Sequence, residues 1–283
     1  MNNVASSPPQ HSLYDAFDTS GFDAVRTYNA AADTYDEPEL GFWDRHGKRV
    51  VDALDLQPGQ LILDACCGAG AASIPAAQKV GKNGQVVGID VAENILDLAR
   101  LRAQDMANTV FDRASMEVSG FPDEMFDAII CNFGLYFAND INRQLAEFVR
   151  MLAPNGKLAI TIWQKTAFEP GYSLLNDELA NIQCKPKLNG HPFLRLTDQG
   201  SLADMMAANG LANVQGRRFL DRQPIERPED FWNIAMGTGF RSELQNLSSP
   251  QRHQLQKRLR DRFSNSDYRS IDSTAICVIG TKL

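Results

Sequence analysis

The chain lacks what a nucleic acid, a membrane or an oxidising compartment would call for. Among its 283 residues no basic run exceeds two in succession, and the formal net charge is −7. The basic footprint of a DNA- or RNA-binding protein is therefore missing, and the stretch from Lys257-Arg258 to Arg262 reads as the polar face of a helix. No run of about 18 apolar residues occurs, which excludes a helical membrane span. Met1 to Gln10 is polar, with two prolines, and has neither the basic nor the apolar segment of a signal peptide. The five cysteines, Cys66, Cys67, Cys131, Cys184 and Cys277, are odd in number and mostly sit in apolar runs. Buried, reduced thiols in a cytoplasmic protein explain them, and the neighbours Cys66-Cys67 could bridge only with strain. Histidine is scarce, internal repeats are absent, and no nucleophile–base–acid triad can be picked out.

What is present suits a large single core, with 43% hydrophobic residues. Residues 1–20 are polar and Pro-containing and are expected to be mobile. Helices are expected around 22–35 and 40–55, where Trp43, Val50, Val51 and Leu54 supply apolar spacing. Strands and helices then alternate: strand 61–65, helix 71–79, strand 85–89, helix 93–106, strands 109–112 and 126–132, helix 140–152, strand 157–163. Pro154-Asn155-Gly156 separates the last two. Such alternation predicts a doubly wound, mainly parallel sheet. Beyond Trp163 the rhythm lapses. A short helix at 172–183, a helix at 198–208, a strand at 213–220 and an insertion over 224–266 precede a last strand, Thr274 to Gly280. The division is thus 1–20, a helical lid at 21–56, a cofactor-binding core at 57–163, and 164–283 as remaining strands with an inserted substrate cap.

The densest signal is Leu61-Ile62-Leu63-Asp64-Ala65-Cys66-Cys67-Gly68-Ala69-Gly70. An apolar strand ends in an acid, a turn keeps glycines at alternate positions, and small residues open a helix. A second apolar run, Val86-Val87-Gly88-Ile89, ends in Asp90, placed to accept hydrogen bonds from ribose hydroxyls. An adenosine-containing cofactor is the expected guest. A dinucleotide fold would want Gly or Ala where Ser73 stands, and a pyrophosphate gains nothing from the nearby Asp64. A cofactor bearing an ammonium and a sulfonium does gain.

Asp64 to Gly70 resembles the first motif of class I S-adenosylmethionine-dependent methyltransferases. Phe121-Pro122-Asp123-Glu124-Met125-Phe126-Asp127 and Arg150-Met151-Leu152-Ala153-Pro154-Asn155-Gly156-Lys157-Leu158 resemble later segments. Together they are similar to the subgroup of ubiquinone/menaquinone-biosynthesis and natural-product methyltransferases, over about residues 28–163. The resemblance implies a Rossmann-like α/β fold, a doubly wound, mainly parallel seven-stranded sheet, with an N-terminal helical lid and a cap inserted after strand 5. It implies that backbone atoms of Cys66, Gly68 and Gly70 border the methionine part, that Asp90 accepts the ribose hydroxyls, and that Val91 and Ile95 flank the adenine. Ser115 and Met116 stand at the adenine edge, Asn132 and Phe133 near the methionine part, and Tyr28 and Tyr35 in the segment that closes over the cofactor. Cys66 replaces the usual first glycine, so the turn is expected to avoid a glycine-only conformation. Ser115 replaces a usual Asp, and Asn155 a common glycine that an αL turn tolerates. Taken alone Asp64 and Asp90 would read as helix caps, but within this set of motifs cofactor contact is the expectation for both.

Methyl transfer from a sulfonium is an in-line displacement that needs alignment more than a base. Of His11, His46, His191 and His253, His191 in the loop after the fifth strand is the candidate base, although a surface role would also explain it. Trp163, Phe168, Tyr172, Phe193, Phe231, Trp232 and Phe240 crowd the cap segments and suggest an apolar or aromatic small-molecule acceptor. The expectation is O- or N-methylation by a monomer or homodimer without a metal. C-methylation of a quinone precursor, an NAD-dependent oxidoreductase and a silent cofactor-binding protein are the alternatives.

Overall fold

A computed structural model describes residues 22–182 and 191–283. The segment expected to be mobile, 1–20, and Cys184 lie outside them. The apolar runs form strands β1 (Leu61–Ala65), β2 (Gln85–Asp90), β3 (Thr109–Arg113), β4 (Phe126–Asn132) and β5 (Leu152–Trp163). After these come β6 (Leu211–Phe219), β7 (Arg222–Pro224), β8 (Ser270–Asp272) and β9 (Ala275–Lys282). Seven of them make one sheet in the order β3-β2-β1-β4-β5-β9-β6. β1 to β5 run parallel, and β9 enters antiparallel between β5 and β6. The strand order reverses beside β1, between β2 and β4, and such a switch point opens a crevice at the carboxyl ends of the strands.

Both faces of the sheet are covered, as buried parallel strands require. On one face Ala128 and Ile130 of β4 pack with Val50, Val51 and Leu54 of α2 (Phe42–Leu54) and with Ala76, Ala77 and Val80 of α3 (Ser73–Val80). On the other, Ile129 and Cys131 join Leu145 and Phe148 of α5 (Ile141–Met151). The alternation along β4 is the period-two signature of a strand. α4 (Glu93–Arg102) connects β2 to β3. α2 packs backbone to backbone on the start of the α3 segment: a Cβ at Gly47 would fall 2.1 Å from the carbonyl oxygen of Ala71.

Several boundaries differ from expectation. The first helix shortens to α1 (Ala24–Ala31), followed by turns and a 3-10 turn at Pro38–Leu40. β5 begins at Leu152 and absorbs Pro154-Asn155-Gly156 as an irregularity in its pairing with β4, with Asn155 at φ 64 as the αL reading required. The two-stranded ribbon β7–β8 went unanticipated. Each strand has three residues, too few for a period-two pattern to declare itself.

Beyond β5 come α6 (Gly171–Asn181) and α7 (Gln199–Ala208), and between β7 and β8 come α8 (Asp230–Met236), α9 (Arg241–Leu244) and α10 (Ser249–Ser264). α10 begins at a capping box, with Ser248 accepting from the Gln251 amide. Its basic face is occupied: Arg258 Nε and Arg262 Nη1 donate to the buried Glu178 of α6 at 2.5 and 2.8 Å.

Candidate functional site

The turn after β1 is built on left-handed residues: Gly68 has φ 53 and Gly70 has φ 82. Cys66 has φ 61, so the expectation that this turn avoids a glycine-type conformation is corrected. A non-glycine residue in that region costs about 1–2 kcal/mol. The bend is held by backbone bonds from Cys67 N to Ile89 O and from Gly70 N to Cys67 O, each 2.9 Å. It is also held by Asp90, whose Oδ2 accepts from Gly68 N and Oδ1 from Ala92 N, each at 3.0 Å. Each carboxylate oxygen has further lone-pair capacity for a ligand.

These elements enclose a cavity of about 470 Å³ at the carboxyl ends of β1, β2 and β4. Its lining includes Tyr28, Tyr35, Asp64, Cys66, Gly68, Asp90, Val91, Ile95, Ser115, Met116, Asn132 and Phe133. The thirteenth expected residue, Gly70, is not among them. It lies on an outer groove with Ile74 and Arg102, where it shapes the turn. Sequence reasoning missed Phe22, Trp43 and Phe137, which also line the cavity. In the sequence Trp43 declares itself only as apolar spacing of a helix. It reaches the site because α2 folds back across the sheet, a long-range placement with no local signal.

Three buried polar atoms of this lining have no hydrogen-bond partner among the described residues: Asp64 Oδ1, Asn132 Oδ1 and Trp43 Nε1. The other oxygen of Asp64 accepts from Ser73 Oγ at 2.5 Å. Burial pushes the Asp64 carboxyl up to about 7; the Ser73 hydrogen bond works against that rise and the Asp90 charge adds to it. Burial likewise raises the Asp90 carboxyl, partly offset by the amides of Ala92 and Gly68. Buried polar groups are normally satisfied, and these two acceptors and one donor, each with almost no exposed surface, sit on residues that line the cavity.

The far wall is aromatic. Phe133, itself at φ 58, stacks on Trp163 with centroids 4.0 Å apart, and Tyr35 stacks on Trp43 at 5.8 Å. Phe22 stacks on Phe137, and Tyr28 meets Phe137 edge-on. α1 is tied down over the cavity by Asn94 N, which donates to Asn29 Oδ1 at 2.9 Å, and by Arg241, which forks onto Asp33 at 2.9 and 3.1 Å. Ser115 has a local role as well, since its Oγ accepts from Glu117 N at 3.2 Å and caps a 3-10 turn.

His191 does not line the cavity. It sits one aromatic layer behind, against Phe22, Phe193 and Phe240, with 6% exposure. Burial lowers its pKa to about 4, so it is neutral and a weak base near pH 7. His46 is fully buried, with Nε2 2.7 Å from Ser273 O. Among the described residues no cluster of three or more His, Cys, Asp or Glu could hold a metal, and no helix is long and apolar enough to cross a membrane.

The methyltransferase-domain family matches residues 62–156. The chain is 33% identical over 139 residues to aklanonic acid methyltransferase DauC of Streptomyces sp. (strain C5), covering 48% of this chain and 63% of that one. It is 40% identical over 107 residues to 2-phytyl-1,4-naphtoquinone methyltransferase of Nostoc sp., covering 37% and 47%. The chain thus spans about half the length of the curated relatives it matches. Among solved structures, a putative methyltransferase from an antibiotic biosynthesis pathway of Anabaena variabilis superposes with a TM-score of 0.62 at 15% identity, over 84% of this chain and 97% of that one. That likeness concerns the fold.

Proposed function

We propose that this chain is a class I methyltransferase that moves the methyl group of S-adenosylmethionine to an oxygen or nitrogen of a small apolar or aromatic metabolite. The observation that carries the reading is the set of unpartnered atoms on residues that line the cavity. An α-amino acid group supplies an ammonium for Asp64 Oδ1 and Asn132 Oδ1 and a carboxylate for Trp43 Nε1. Asp90 would take the ribose hydroxyls while still bonding Gly68 N and Ala92 N, with Val91 and Ile95 beside the adenine and Ser115 and Met116 at its edge. Backbone of Cys66 and Gly68, and Phe133 across the cavity, would border the methionine part, and Gly70 would keep the bend in shape.

The bound cofactor brings a methyl group already activated on a sulfonium. What the protein adds is positioning and a dry, anionic enclosure. Two carboxylates, Asp64 and Asp90, favour a cationic guest in a low-dielectric space. Tyr28, Tyr35, Phe22 and Phe137 close the cavity from the lid side and keep water from the reacting atoms. Holding nucleophile and methyl carbon in line is worth roughly 7–11 kcal/mol. No histidine lines the cavity among the described residues, so an acceptor that is ionised, or carries a neutral amine, suits the site best.

Calorimetry with S-adenosylmethionine and with NAD tests the cofactor. Saturable binding of the first with none of the second supports the reading, and the reverse replaces it with hydride chemistry. Turnover to S-adenosylhomocysteine with a panel of phenols, amines and quinols then tests the acceptor. Product methylated on carbon would move the reading to quinone-type C-methylation.

A further inference from the structure

Three sulfur-bearing residues from different parts of the chain converge at one wall of the cavity, two in its lining and one behind it. Cys66 follows β1, Cys131 lies in β4 with its Cα opposite Ala65, and Met116 opens the 3-10 turn after β3. Cys66 Sγ is 3.5 Å from Met116 Sδ, and Cys131 Sγ is its neighbour beside Gly134. The bare backbone of Gly134 makes room for both thiols: a Cβ there would fall 2.6 Å from Cys66 Sγ and 3.0 Å from Cys131 Sγ. Cys66 and Met116 line the cavity, and Cys131 lies fully buried behind them. Cys66 holds its thiol there from the strained φ of 61, and strain of this kind persists where a side chain has to be aimed.

We propose that Cys66, Cys131 and Met116 form an inhibitory site for a thiophilic divalent cation, and that filling it closes the cavity to the methyl donor. Two thiols and a thioether are soft donors, suited to a soft ion. They are too few for a closed tetrahedral zinc site and of the wrong kind for calcium or magnesium. The charge of the surroundings selects the ion's valence. With Asp64 and Asp90 in the same cavity, a neutral complex of a divalent ion and two thiolates is favoured over the anion a monovalent ion would leave. The step is a substitution without redox. Two S–H bonds break, two metal–sulfur bonds form, two protons pass to solvent, and Met116 adds a neutral third ligand.

Hg2+ is the probe. The full chain, reduced and freed of small thiols, is titrated with Hg2+ while mercury–thiolate absorbance and proton release are recorded. It is then challenged with S-adenosylmethionine in a calorimeter. Cys131→Ala keeps the Cys66 thiol, which holds mercury alone, so wild type should take up the same number of ions as Cys131→Ala and release one more proton, and loading should weaken donor binding at least tenfold in wild type. Cys131 lies outside the cavity lining, so the unloaded variant should bind donor within twofold of wild type. Cys131→Ser serves as a second variant should the alanine form not fold. Met116→Leu should keep the stoichiometry and change the absorbance. One ion more in wild type than in Cys131→Ala, the mark of two thiols binding separately, or undiminished donor binding by loaded wild type, overturns the proposal. If unloaded wild type fails to bind the donor, the proposed function falls, while the ion and proton counts still decide this site.

Discussion

Asp64 shows how one side chain ties burial to ligand choice. Its carboxyl is fully buried and half-satisfied, and its pKa lies near 7. In the ligand-free protein the folded pKa exceeds the unfolded value. Between about pH 4 and 7 the unfolded chain therefore releases a proton that the folded one keeps, and this group's contribution to stability falls as pH rises through that window. A cationic guest reverses the preference. S-adenosylmethionine affinity should strengthen from pH 6 to 8, by up to tenfold per unit below pH 7, and binding at pH 6 should release a proton. Calorimetry in buffers of different ionisation enthalpy measures this, and Asp64→Asn should bind weakly with a flat pH profile. Asp90→Ala should lose about 1.5–3 kcal/mol of donor affinity, as for charge-assisted hydrogen bonds. It should also unfold at lower temperature, because Gly68 N and Ala92 N lose their acceptor. At Gly68 a side chain would meet both φ 53 and the Tyr35 hydroxyl, 3.1 Å from the added Cβ. Gly68→Ala should therefore destabilise by about 1–2 kcal/mol. The acids and glycines of the site were legible because a strand, a bend and a second strand put them at set spacings. The conformation of Cys66 and the arrival of Trp43 were not. The first depends on the backbone path of the turn, and the second on how α2 packs across the sheet.

Among the elements, α2 and α1 carry the site's geometry. α2 delivers Trp43 to the cavity, and it can do so because Gly47 lets its backbone touch Ala71. Gly47→Ala puts a methyl group into a carbonyl and should cost about 1–3 kcal/mol as an overpacked contact, with donor affinity reduced alongside. Chemical denaturation and calorimetry check the two effects. α1 is fastened at its end by Arg241 on Asp33, a pair whose arginine is 11% exposed and whose aspartate is 62% exposed. Exposure limits such a pair to roughly 0.2–1 kcal/mol. Arg241→Ala should leave folding nearly unchanged while speeding donor release a few-fold in stopped-flow, since the lid opens more often. Helix and strand positions followed from apolar periodicity, as in β4. The ribbon β7–β8 did not, because pairs three residues long are held by their surroundings rather than by their own pattern.

Across the whole molecule, the reversal of strand order beside β1 makes the crevice, and two sequence-distant insertions meet over the sheet through Glu178, Arg258 and Arg262. The alternation of strands and helices to Trp163 made the parallel core readable. The antiparallel entry of β9 between β5 and β6 was hidden, since strand order depends on contacts distant in the chain. A ligand that binds the folded chain alone must stabilise it by mass action, about 2.7 kcal/mol at a hundredfold excess over Kd. The most direct measurement is titration calorimetry of the full chain with S-adenosylmethionine, run beside NAD and beside Asp90→Ala. One-site binding of S-adenosylmethionine that Asp90→Ala weakens at least tenfold, with no NAD signal, is the predicted result. NAD binding, or an affinity for S-adenosylmethionine indifferent to Asp90, would contradict it.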